Sequence, residues 1–336
     1  MVVSKVLDTA LDRTLIGYGN VGYLVRRARW PGDEPAPGSL EGRTALVTGA
    51  KSGIGKAIAT GLARLGATVH MAVRDTEQGE AARADVLREV PGAEVAVDEC
   101  DVSSLAGVRA FAEALQARTG ALDVLVHNAG VMPPRREVTA EGNEIALATH
   151  VLGPHLLTAL LLPALRRAPG ARVIWVSSGG MYAQPLRIDD LQYEQGDYNG
   201  TAAYARTKRM QVVLSREWAE RAYADSVISH AGHPGWADTP GVSSSLPLFR
   251  TLTRPLLRTP EQGADTFVWL AAAERPGLVT GRFWHDREIR PEHYLARTRE
   301  TGPDRTALWE ACQRLTGLES QGAAPGTPAG SDPRAA

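Results

Sequence analysis

The stretch Thr44-Ala-Leu-Val-Thr-Gly-Ala-Lys-Ser-Gly-Ile-Gly-Lys-Ala-Ile-Ala59 decides the fold of this chain. An apolar run with β-branched residues leads into Gly49, Gly53 and Gly55 and then into apolar residues at helical spacing, which indicates strand, turn and helix. Glycines let the backbone approach a ligand closely, and a helix start offers unpaired N–H groups and a positive dipole end to a phosphate. The stretch therefore predicts a nucleotide site. A plain turn is the alternative, because the spacing differs from G-x-G-x-x-G.

Further strands alternate with helices along the chain. The apolar runs that predict strands are residues 45–48, 67–73, 94–97, 122–126, 172–176 and 227–230, and long helical patterns cover 76–89, 143–167 and 201–223. This alternation predicts a parallel sheet covered on both faces, a Rossmann-type doubly wound α/β fold. Such a fold binds its ligand at the carboxyl ends of the strands, where the glycine turn, Arg74, Asp101, Asn128 and Ser178 all fall.

The chain divides into an N-terminal helical arm and linker (1–40), one α/β domain (41–300), and a C-terminal helix with a tail (301–336) whose composition predicts disorder. In the arm, residues 2–16 follow helical spacing, and Gly17, Gly19 and Gly22 are expected to break the helix. Residues 23–30 are apolar and then basic. They predict an arm packed on the domain or on a partner subunit, with peripheral membrane contact as the alternative.

The composition argues against several classes of function. A formal net charge of -1 gives no reason to expect nucleic acid as a partner. Cys100 and Cys312 fit no metal or disulfide spacing, which predicts two reduced, buried thiols and no metal. No apolar run looks long enough to span a bilayer and no secretory signal is apparent, so a cytoplasmic protein is expected.

Tyr204 and Lys208 are four residues apart in a helical pattern and therefore share one helix face. A tyrosine of ordinary pKa, about 10, is a poor acid or base near neutrality, but an adjacent ammonium favours the phenolate and lowers that pKa. The pair could then exchange a proton with an alcohol oxygen that the Ser178 hydroxyl holds as charge develops on it. Without Ser178, an exposed helix face would be the better interpretation of this spacing.

These residues stand in the order found in one enzyme family, and the chain resembles the short-chain dehydrogenase/reductases over about residues 41–290. The matching motifs are Thr48-Gly-x-x-x-Gly-Ile-Gly55, Asp101-Val102, Asn128-Ala-Gly130, Ser177-Ser178, Tyr204-x-x-x-Lys208 and Pro234-Gly235. The stretches 176–181 and 233–242 resemble most the branch of dehydrogenase/reductase SDR family member 12 and its bacterial relatives. The resemblance implies an oxidoreductase that transfers a hydride between a nicotinamide and a carbonyl or alcohol carbon.

The resemblance also implies roles for individual residues. Tyr204 would be the general acid/base, Lys208 would lower its pKa and bind the nicotinamide ribose, and Ser178 would hold the substrate oxygen. The implied cofactor contacts are Gly49, Ser52, Gly53, Ile54 and Gly55 at the pyrophosphate, Asp101 and Val102 at the adenine, Asn128, Ala129 and Gly130 at the adenosine and ribose side, and Pro234, Gly235, Trp236 and Thr239 at the nicotinamide.

One position departs from the family pattern. The family usually has an asparagine in the helix after the fourth strand, which completes a proton-relay tetrad, and this sequence has His150 there. An imidazole can donate and accept hydrogen bonds, so a relay could survive with His150 as a catalytic residue. The alternative is a structural histidine, with lowered activity or a different water network.

The choice of cofactor can be argued from charge. An acidic residue after the second strand would accept the ribose 2′-OH of NAD, whereas an arginine suits the 2′-phosphate of NADP. This chain has Arg74 there and Lys51 in the glycine turn, which favours NADP(H). Asp75 follows immediately and keeps NAD(H) as the alternative.

The apolar content of residues 238–259, which cover the substrate in the family, predicts a bulky apolar carbonyl or alcohol, such as a lipid aldehyde, retinoid or steroid. An ordinary packed helix pair is the alternative.

The resemblance also has a consequence for assembly. Subunits of the family usually meet through the helices that correspond to 143–167 and 201–223, so the resemblance implies a homodimer or homotetramer. Because fold alone does not fix function, a nucleotide-binding scaffold or sensor with little catalytic activity remains the second hypothesis.

Overall fold

The computed structural model describes residues 15–238 and 256–318, and an eight-stranded sheet runs through them. In chain order the strands are β1 (Thr44–Thr48), β2 (Thr68–Val73), β3 (Val95–Glu99), β4 (Val124–His127), β5 (Arg172–Val176), β6 (Ile228–Gly232), β7 (Arg282–His285) and β8 (Glu288–Ile289). Their order across the sheet is β3-β2-β1-β4-β5-β6-β7-β8, with β7 and β8 antiparallel and the other neighbours parallel. The predicted doubly wound α/β fold is confirmed.

The six predicted strands are present, and β7 and β8 are additional. The two extra strands are short and are joined by Asp286 and Arg287, whose φ angles are +51° and +60°. Two successive positive φ angles are typical of a type I′ hairpin turn, which usually carries Asn-Gly or Asp-Gly. Because this turn has no glycine, no local pattern predicts a hairpin there.

Helices cover both faces of the sheet. They are α1 (Asn20–Arg27), α2 (Gly53–Arg64), α3 (Thr76–Glu89), α4 (Leu105–Arg118), α5 (Ile145–Arg166), α6 (Gly200–Arg221), α7 (Pro260–Ala272), α8 (Glu274–Gly277) and α9 (Gly302–Thr316). Ser104 caps α4 by accepting a hydrogen bond from the Gly107 N–H. Asp75 caps α3 in the same way through Gln78.

Two hydrophobic cores lie on opposite faces of the sheet. Alternate residues of β1 belong to different cores: Leu46 packs with α4, α5 and α6, while Val47 packs with α2 and α7. This alternation is expected for a parallel strand buried on both faces. Cys100 and Cys312 are free, buried thiols in the first core, as predicted.

Helix α5 is long and apolar enough to cross a membrane by length and composition, although the sequence analysis expected no such segment. Its most apolar window is 78% buried, however, which is typical of a core helix. Residues Ala148–Leu152 within α5 form a π-helical turn around His150. Such π-bulges occur frequently at functional sites.

The N-terminal arm packs on the domain, as one of the two predictions for it required. The carboxylate of Asp286 lies between two guanidinium groups, 2.8 Å from Arg26 Nη1 and 2.5 Å from Arg258 Nη1, and all three side chains are buried. The predicted helix over 2–16 lies almost entirely outside the described residues. Gly22 lies within α1, where a Cβ would overlap the backbone of Gly17, so Gly22 lets α1 pack against the preceding turn.

Helix α9 covers the outer faces of α5 and α6. Trp309 of α9 stacks edge-on against His155 and Trp218, with ring centroids 4.8 Å and 5.1 Å apart, and Arg221 lies 4.1 Å above its ring. Leu308 and Cys312 of α9 are fully buried. The two helices predicted to form a subunit contact are therefore partly covered by their own chain.

Candidate active site

The turn between β1 and α2 brings its backbone close to the neighbouring strand. Gly49 has a φ of +67°, and a Cβ there would lie 2.7 Å from the Ala129 Cα, so a larger residue does not fit. A Cβ on Gly55 would overlap the Gly49 carbonyl. Ser52 is the N-cap residue of α2, and its side chain makes no capping hydrogen bond. The N–H groups of the first turn of α2 are therefore available to an anion, as the predicted phosphate site requires.

A cleft of about 680 Å³ opens beside this turn, where the strand order reverses between β1 and β4. Doubly wound sheets bind nucleotides at this kind of switch point. Most of the predicted site residues line the cleft: Gly49, Lys51, Ser52, Gly53, Ile54, Gly55, Arg74, Asp101, Val102, Asn128, Ala129, Gly130, Tyr204, Lys208 and Pro234. The glycine turn, the two cations and the Tyr204–Lys208 pair fit a dinucleotide that runs along the cleft.

The cations lie on the β2 side of the cleft. Arg74 is exposed and, within residues 15–238 and 256–318, has no hydrogen-bond or ion-pair partner. Lys51 Nζ donates to Gln78 Oε1 at 2.8 Å. Asp75, the acidic candidate for a ribose hydroxyl, already accepts hydrogen bonds from the Gln78 backbone and side-chain nitrogens at 3.0 and 2.5 Å. The carboxylate is thus engaged in capping α3, whereas the Arg74 guanidinium is not engaged.

Asn128 and Asp101 form hydrogen bonds that stabilise the loops in the middle of the cleft. Asn128 Nδ2 donates to the carbonyls of Thr48 and Gly49 at 3.0 and 3.2 Å, so its amide joins β1 to β4. Asp101 Oδ1 accepts from the N–H and hydroxyl of Ser103 at 2.9 and 2.7 Å. Both side chains therefore shape the loops that line the expected adenosine position.

Tyr204 of α6 is joined to Ser178, which follows β5, by a side-chain hydrogen bond. Ser178 Oγ also accepts from the Gly180 N–H at 3.2 Å. Burial raises the pKa of the Tyr204 phenol, and the hydrogen bond with Ser178 lowers it by a smaller amount. The expectation that Lys208 would lower this pKa is wrong for the protein alone, because the ammonium of Lys208 is directed to other partners.

Lys208 is buried, and its Nζ donates to the Val176 carbonyl at 2.9 Å and to Gln211 Oε1 at 3.0 Å. Gln211 Nε2 donates in turn to the His150 carbonyl at 2.9 Å. This orientation of the amide is fixed, because a lysine only donates and a carbonyl only accepts. Burial lowers the pKa of Lys208 to about 7. Two of the three ammonium protons of Lys208 are thus used in hydrogen bonds within the protein, and the third remains for a partner in the cleft.

The His150 ring is fully buried in the π-helical turn. Its Nε2 accepts from the Val131 N–H at 2.9 Å, so the neutral ring carries its proton on Nδ1, which lies 2.7 Å from Thr207 Oγ1. The Thr207 hydroxyl donates to the Tyr204 carbonyl at 2.8 Å. Burial holds the pKa of His150 well below its usual range. These contacts favour the structural alternative for the ring, while the His150 backbone carbonyl is the group that reaches the Lys208 network.

The loop after β6 carries the residues expected at the nicotinamide. Pro234 lines the cleft, and Gly235 has a φ of +77° with no room for a Cβ beside the Arg258 guanidinium. The Trp236 N–H donates to the Tyr18 carbonyl of the arm at 2.8 Å, which turns this residue away from the cleft lining. Thr239 lies outside the described residues, as does most of the predicted substrate cover over 238–259.

A separate group of metal-ligating side chains lies at Glu292, His293 and Glu300, whose ligand atoms are within 4.8 Å of one another. Arg216 Nη1 lies 3.0 Å from the Glu292 carboxylate and 3.7 Å from that of Glu300. The guanidinium of Arg216 thus pairs with both carboxylates, and the group reads as an ion-pair cluster.

Known proteins share this arrangement. A family model described as short chain dehydrogenase matches residues 43–247. The chain belongs to the short-chain dehydrogenase/reductase family. It is similar to dehydrogenase/reductase SDR family member 12 of Bos taurus, with 42% identity over 278 residues that cover 82% of this chain and 87% of that one. It is 34% identical over 318 residues to retinol dehydrogenase 14 of Homo sapiens, covering 89% and 92%. Among solved structures, the RhlG/NADP complex of Pseudomonas aeruginosa has a TM-score of 0.61 at 26% identity, covering 74% and 96%.

As a short-chain dehydrogenase/reductase, the protein is an NAD(P)-dependent oxidoreductase that acts on CH–OH or C=O groups. The predicted likeness to the family member 12 branch is confirmed. The family model begins at residue 43, so the arm that reaches Trp236 lies outside the matched region.

The sequence analysis of this short-chain dehydrogenase/reductase missed two residues that meet the catalytic groups. Gln211 stands three residues after Lys208 on the same helix face, so the helical period was a usable signal. Tyr18 gave no local signal, because its approach to the Pro234–Trp236 loop depends on contacts between residues more than two hundred positions apart.

Proposed function

We propose that the protein is an NADP(H)-dependent oxidoreductase in which Tyr204 moves a proton to or from the oxygen of an apolar carbonyl or alcohol substrate. The observation that supports this most is the convergence of three groups at one end of the cleft. Ser178 is hydrogen-bonded to Tyr204, and Lys208 Nζ lies 5.4 Å from the centroid of the Tyr204 ring. Tyr204 and Lys208 line the cleft whose other parts fit a dinucleotide.

When bound, the nicotinamide supplies or accepts the hydride. Tyr204 supplies the proton that the substrate oxygen needs when a carbonyl is reduced, and Ser178 donates a hydrogen bond to that oxygen as charge develops. The raised pKa of Tyr204 keeps the phenol protonated near neutrality, which suits a general acid and therefore the reductive direction. Lys208 holds the cofactor sugar with its remaining proton, and Gln211 and Val176 fix its position.

The preference for NADP(H) rests on charge at the β2 end. The exposed Arg74 guanidinium and the nearby Lys51 ammonium suit a 2′-phosphate, while Asp75 is engaged with Gln78. RhlG, one of the structural relatives, was solved as a complex with NADP. NAD(H) remains the alternative, because the chain already has an acidic residue after β2, Asp75, which could accept a hydrogen bond from the ribose 2′-OH of NAD.

An apolar substrate is supported by the leucine-rich segment 238–259 and by the likeness to a retinol dehydrogenase. We infer a bulky hydrophobic aldehyde, ketone or alcohol, of which retinoids, lipid aldehydes and steroids are the classes to test.

Consumption of NADPH by the purified protein, measured against a panel of apolar aldehydes and ketones, tests the proposal. Tyr204→Phe should keep NADPH affinity and lower turnover by at least about 100-fold. Tyr223→Phe is the matched control, because Tyr223 is 75% exposed and makes no contact with the cleft lining. Turnover retained by Tyr204→Phe would refute the role of Tyr204. Tight NADPH binding with no turnover anywhere in the panel would support the nucleotide-binding scaffold or sensor instead.

Three further predictions concern the oligomeric state, the membrane contact and the cellular location of the enzyme. A homodimer or homotetramer is the predicted assembly, and a contact through α5 and α6 would use the part of those helices that α9 leaves uncovered; light scattering measures the mass. Membrane contact by the arm is supported by Val21 and Leu24, which are 48% and 49% exposed beside Arg27 and Arg29, and co-sedimentation with anionic vesicles tests it. A cytoplasmic location is tested by cell fractionation.

A further inference from the structure

His233, the first residue after β6, joins two loops through a single ring nitrogen. Its Nδ1 lies 3.1 Å from the Gly179 backbone nitrogen and 3.3 Å from that of Gly235, and both N–H groups donate to it. The ring is buried, and burial lowers its pKa to about 3. His233 is therefore neutral near pH 7, with Nδ1 as the acceptor and its proton on Nε2. We call the three residues Gly179, His233 and Gly235 the histidine bridge.

The two loops that the histidine bridge joins belong to the two sides of the reaction. Gly179 directly follows Ser178, whose side chain is hydrogen-bonded to Tyr204. Gly235 directly follows Pro234, which lines the cleft at the end where the nicotinamide is expected. One imidazole thus sets the distance between the group expected to hold the substrate oxygen and the loop expected to hold the hydride donor.

The ring of His233 is held in turn by the N-terminal arm. Tyr18 lies 5.2 Å from it, centroid to centroid, and His285 lies 4.8 Å from it and 5.2 Å from Tyr18. The Tyr18 carbonyl also accepts from the Trp236 N–H. The arm is fixed by the buried Arg26–Asp286 pair, so Tyr18 is set in place by contacts that do not involve the cofactor.

We propose that His233 is a positioning residue for hydride transfer and that Tyr18 of the arm keeps its ring in the orientation that accepts both backbone N–H groups. The proposal rests on the proposed function, and it gives the arm a part in the active site that the matched region 43–247 does not contain. Loss of the acceptor would let the Ser178 loop and the Pro234 loop move apart. A displacement on the order of 1 Å at reacting groups can cost as much as a factor of 100 in rate.

The test compares His233→Leu, His233→Asn and Tyr18→Leu with the wild type. Leucine fills the space but accepts no hydrogen bond, whereas an asparagine oxygen can accept in place of Nδ1. With the best substrate from the panel, single-turnover hydride transfer should fall about tenfold in His233→Leu, while the NADPH dissociation constant stays within about twofold. Most of the rate should return in His233→Asn, and Tyr18→Leu should fall between the two.

His230→Leu is the matched control for a purely structural effect. His230 is a buried histidine of β6 that does not line the cleft, and its Nδ1 accepts from the Arg282 N–H at 3.2 Å. It should lower the free energy of unfolding without changing the single-turnover rate. Equal rate losses in His230→Leu and His233→Leu would overturn the proposal, and so would a folded His233→Leu variant with the wild-type rate.

A second measurement does not depend on turnover. The ¹⁵N chemical shifts of His233 in the wild type should report an unprotonated Nδ1 from pH 5 to pH 8, and Tyr18→Leu should show a mixture of tautomers. A protonated Nδ1 in the wild type would overturn the histidine bridge even if His233→Leu failed to fold. If no carbonyl in the panel is turned over, the proposed function fails, while the ring-nitrogen shifts still decide whether the histidine bridge exists.

Discussion

The phosphate end and the catalytic end of the cleft are built in different ways. The phosphate end comes from the turn after β1 and the start of α3, and Arg74 there is exposed to solvent. The catalytic end joins segments from Tyr18 to Asp286, and its charged and titratable groups are buried. We infer that exposed charge at the first end sets cofactor affinity and that buried geometry at the second end sets the reaction rate.

The largest effect is expected where the catalytic end is tied to the arm. Asp286→Asn removes the buried carboxylate that pairs with the guanidinium groups of Arg26 and Arg258, which should lower the free energy of unfolding by about 3–5 kcal/mol. Urea unfolding followed by circular dichroism measures the loss. Asp85→Asn is the control, because Asp85 pairs with Lys56 and Arg88 at the surface and should change stability little. Equal losses in the two variants would contradict the role of the buried cluster.

Acid should also weaken the protein through histidines that are buried in its interior. Burial lowers the pKa of His127 to about 3 and the pKa values of His155 and His230 to about 4, so these rings stay neutral in the folded protein. The unfolded chain binds their protons below about pH 6.5, so the stability they contribute is complete above that pH and is lost as the pH falls towards 4. Urea titrations should show the free energy of unfolding falling by several kcal/mol, on the order of 1.4 kcal/mol per unit of pKa shift. A flat profile from pH 7 to pH 4 would contradict neutral burial.

The Gln211→Leu variant tests how Gln211 acts on Lys208 at the catalytic end. The change removes one acceptor from the Lys208 ammonium, which should lower the pKa of Lys208 further below its ordinary range. If the protonated lysine is the active form, the alkaline limb of kcat/KM should move to lower pH, with a loss of about tenfold at pH 8. Gln313→Leu is the control, because Gln313 of α9 meets His155 instead. An unmoved limb would show that Gln211 does not act through Lys208.

The smallest effect is expected at the phosphate end. Arg74→Ala should weaken NADPH binding about fivefold and leave the single-turnover rate within about twofold, because an exposed ion pair contributes little. The difference should shrink at high salt, which screens exposed charges. Titration of NADPH fluorescence at two ionic strengths measures it. An Arg74→Ala variant that binds NADPH as tightly as the wild type at low salt would contradict the assigned preference.

The two ends also differ in how far the sequence could predict them. The glycine turn and the six predicted strands depend on neighbouring residues, so local patterns were enough. The fixing of the arm depends on Arg26 and Asp286, which are 260 positions apart, and no local pattern carries that contact. The rise in the pKa of Tyr204 was missed for a related reason: helical spacing brought Lys208 near, but burial and Gln211 decide where its charge is directed.

The most direct test of this account measures two quantities in Tyr204→Phe and Arg74→Ala: the NADPH dissociation constant and the single-turnover rate of hydride transfer. We expect Tyr204→Phe to lose at least about 100-fold in rate with wild-type NADPH affinity, and Arg74→Ala to lose affinity with a nearly unchanged rate. If either variant changed both quantities together, affinity and rate would not be divided between the two ends of the cleft, and the central claim would be wrong.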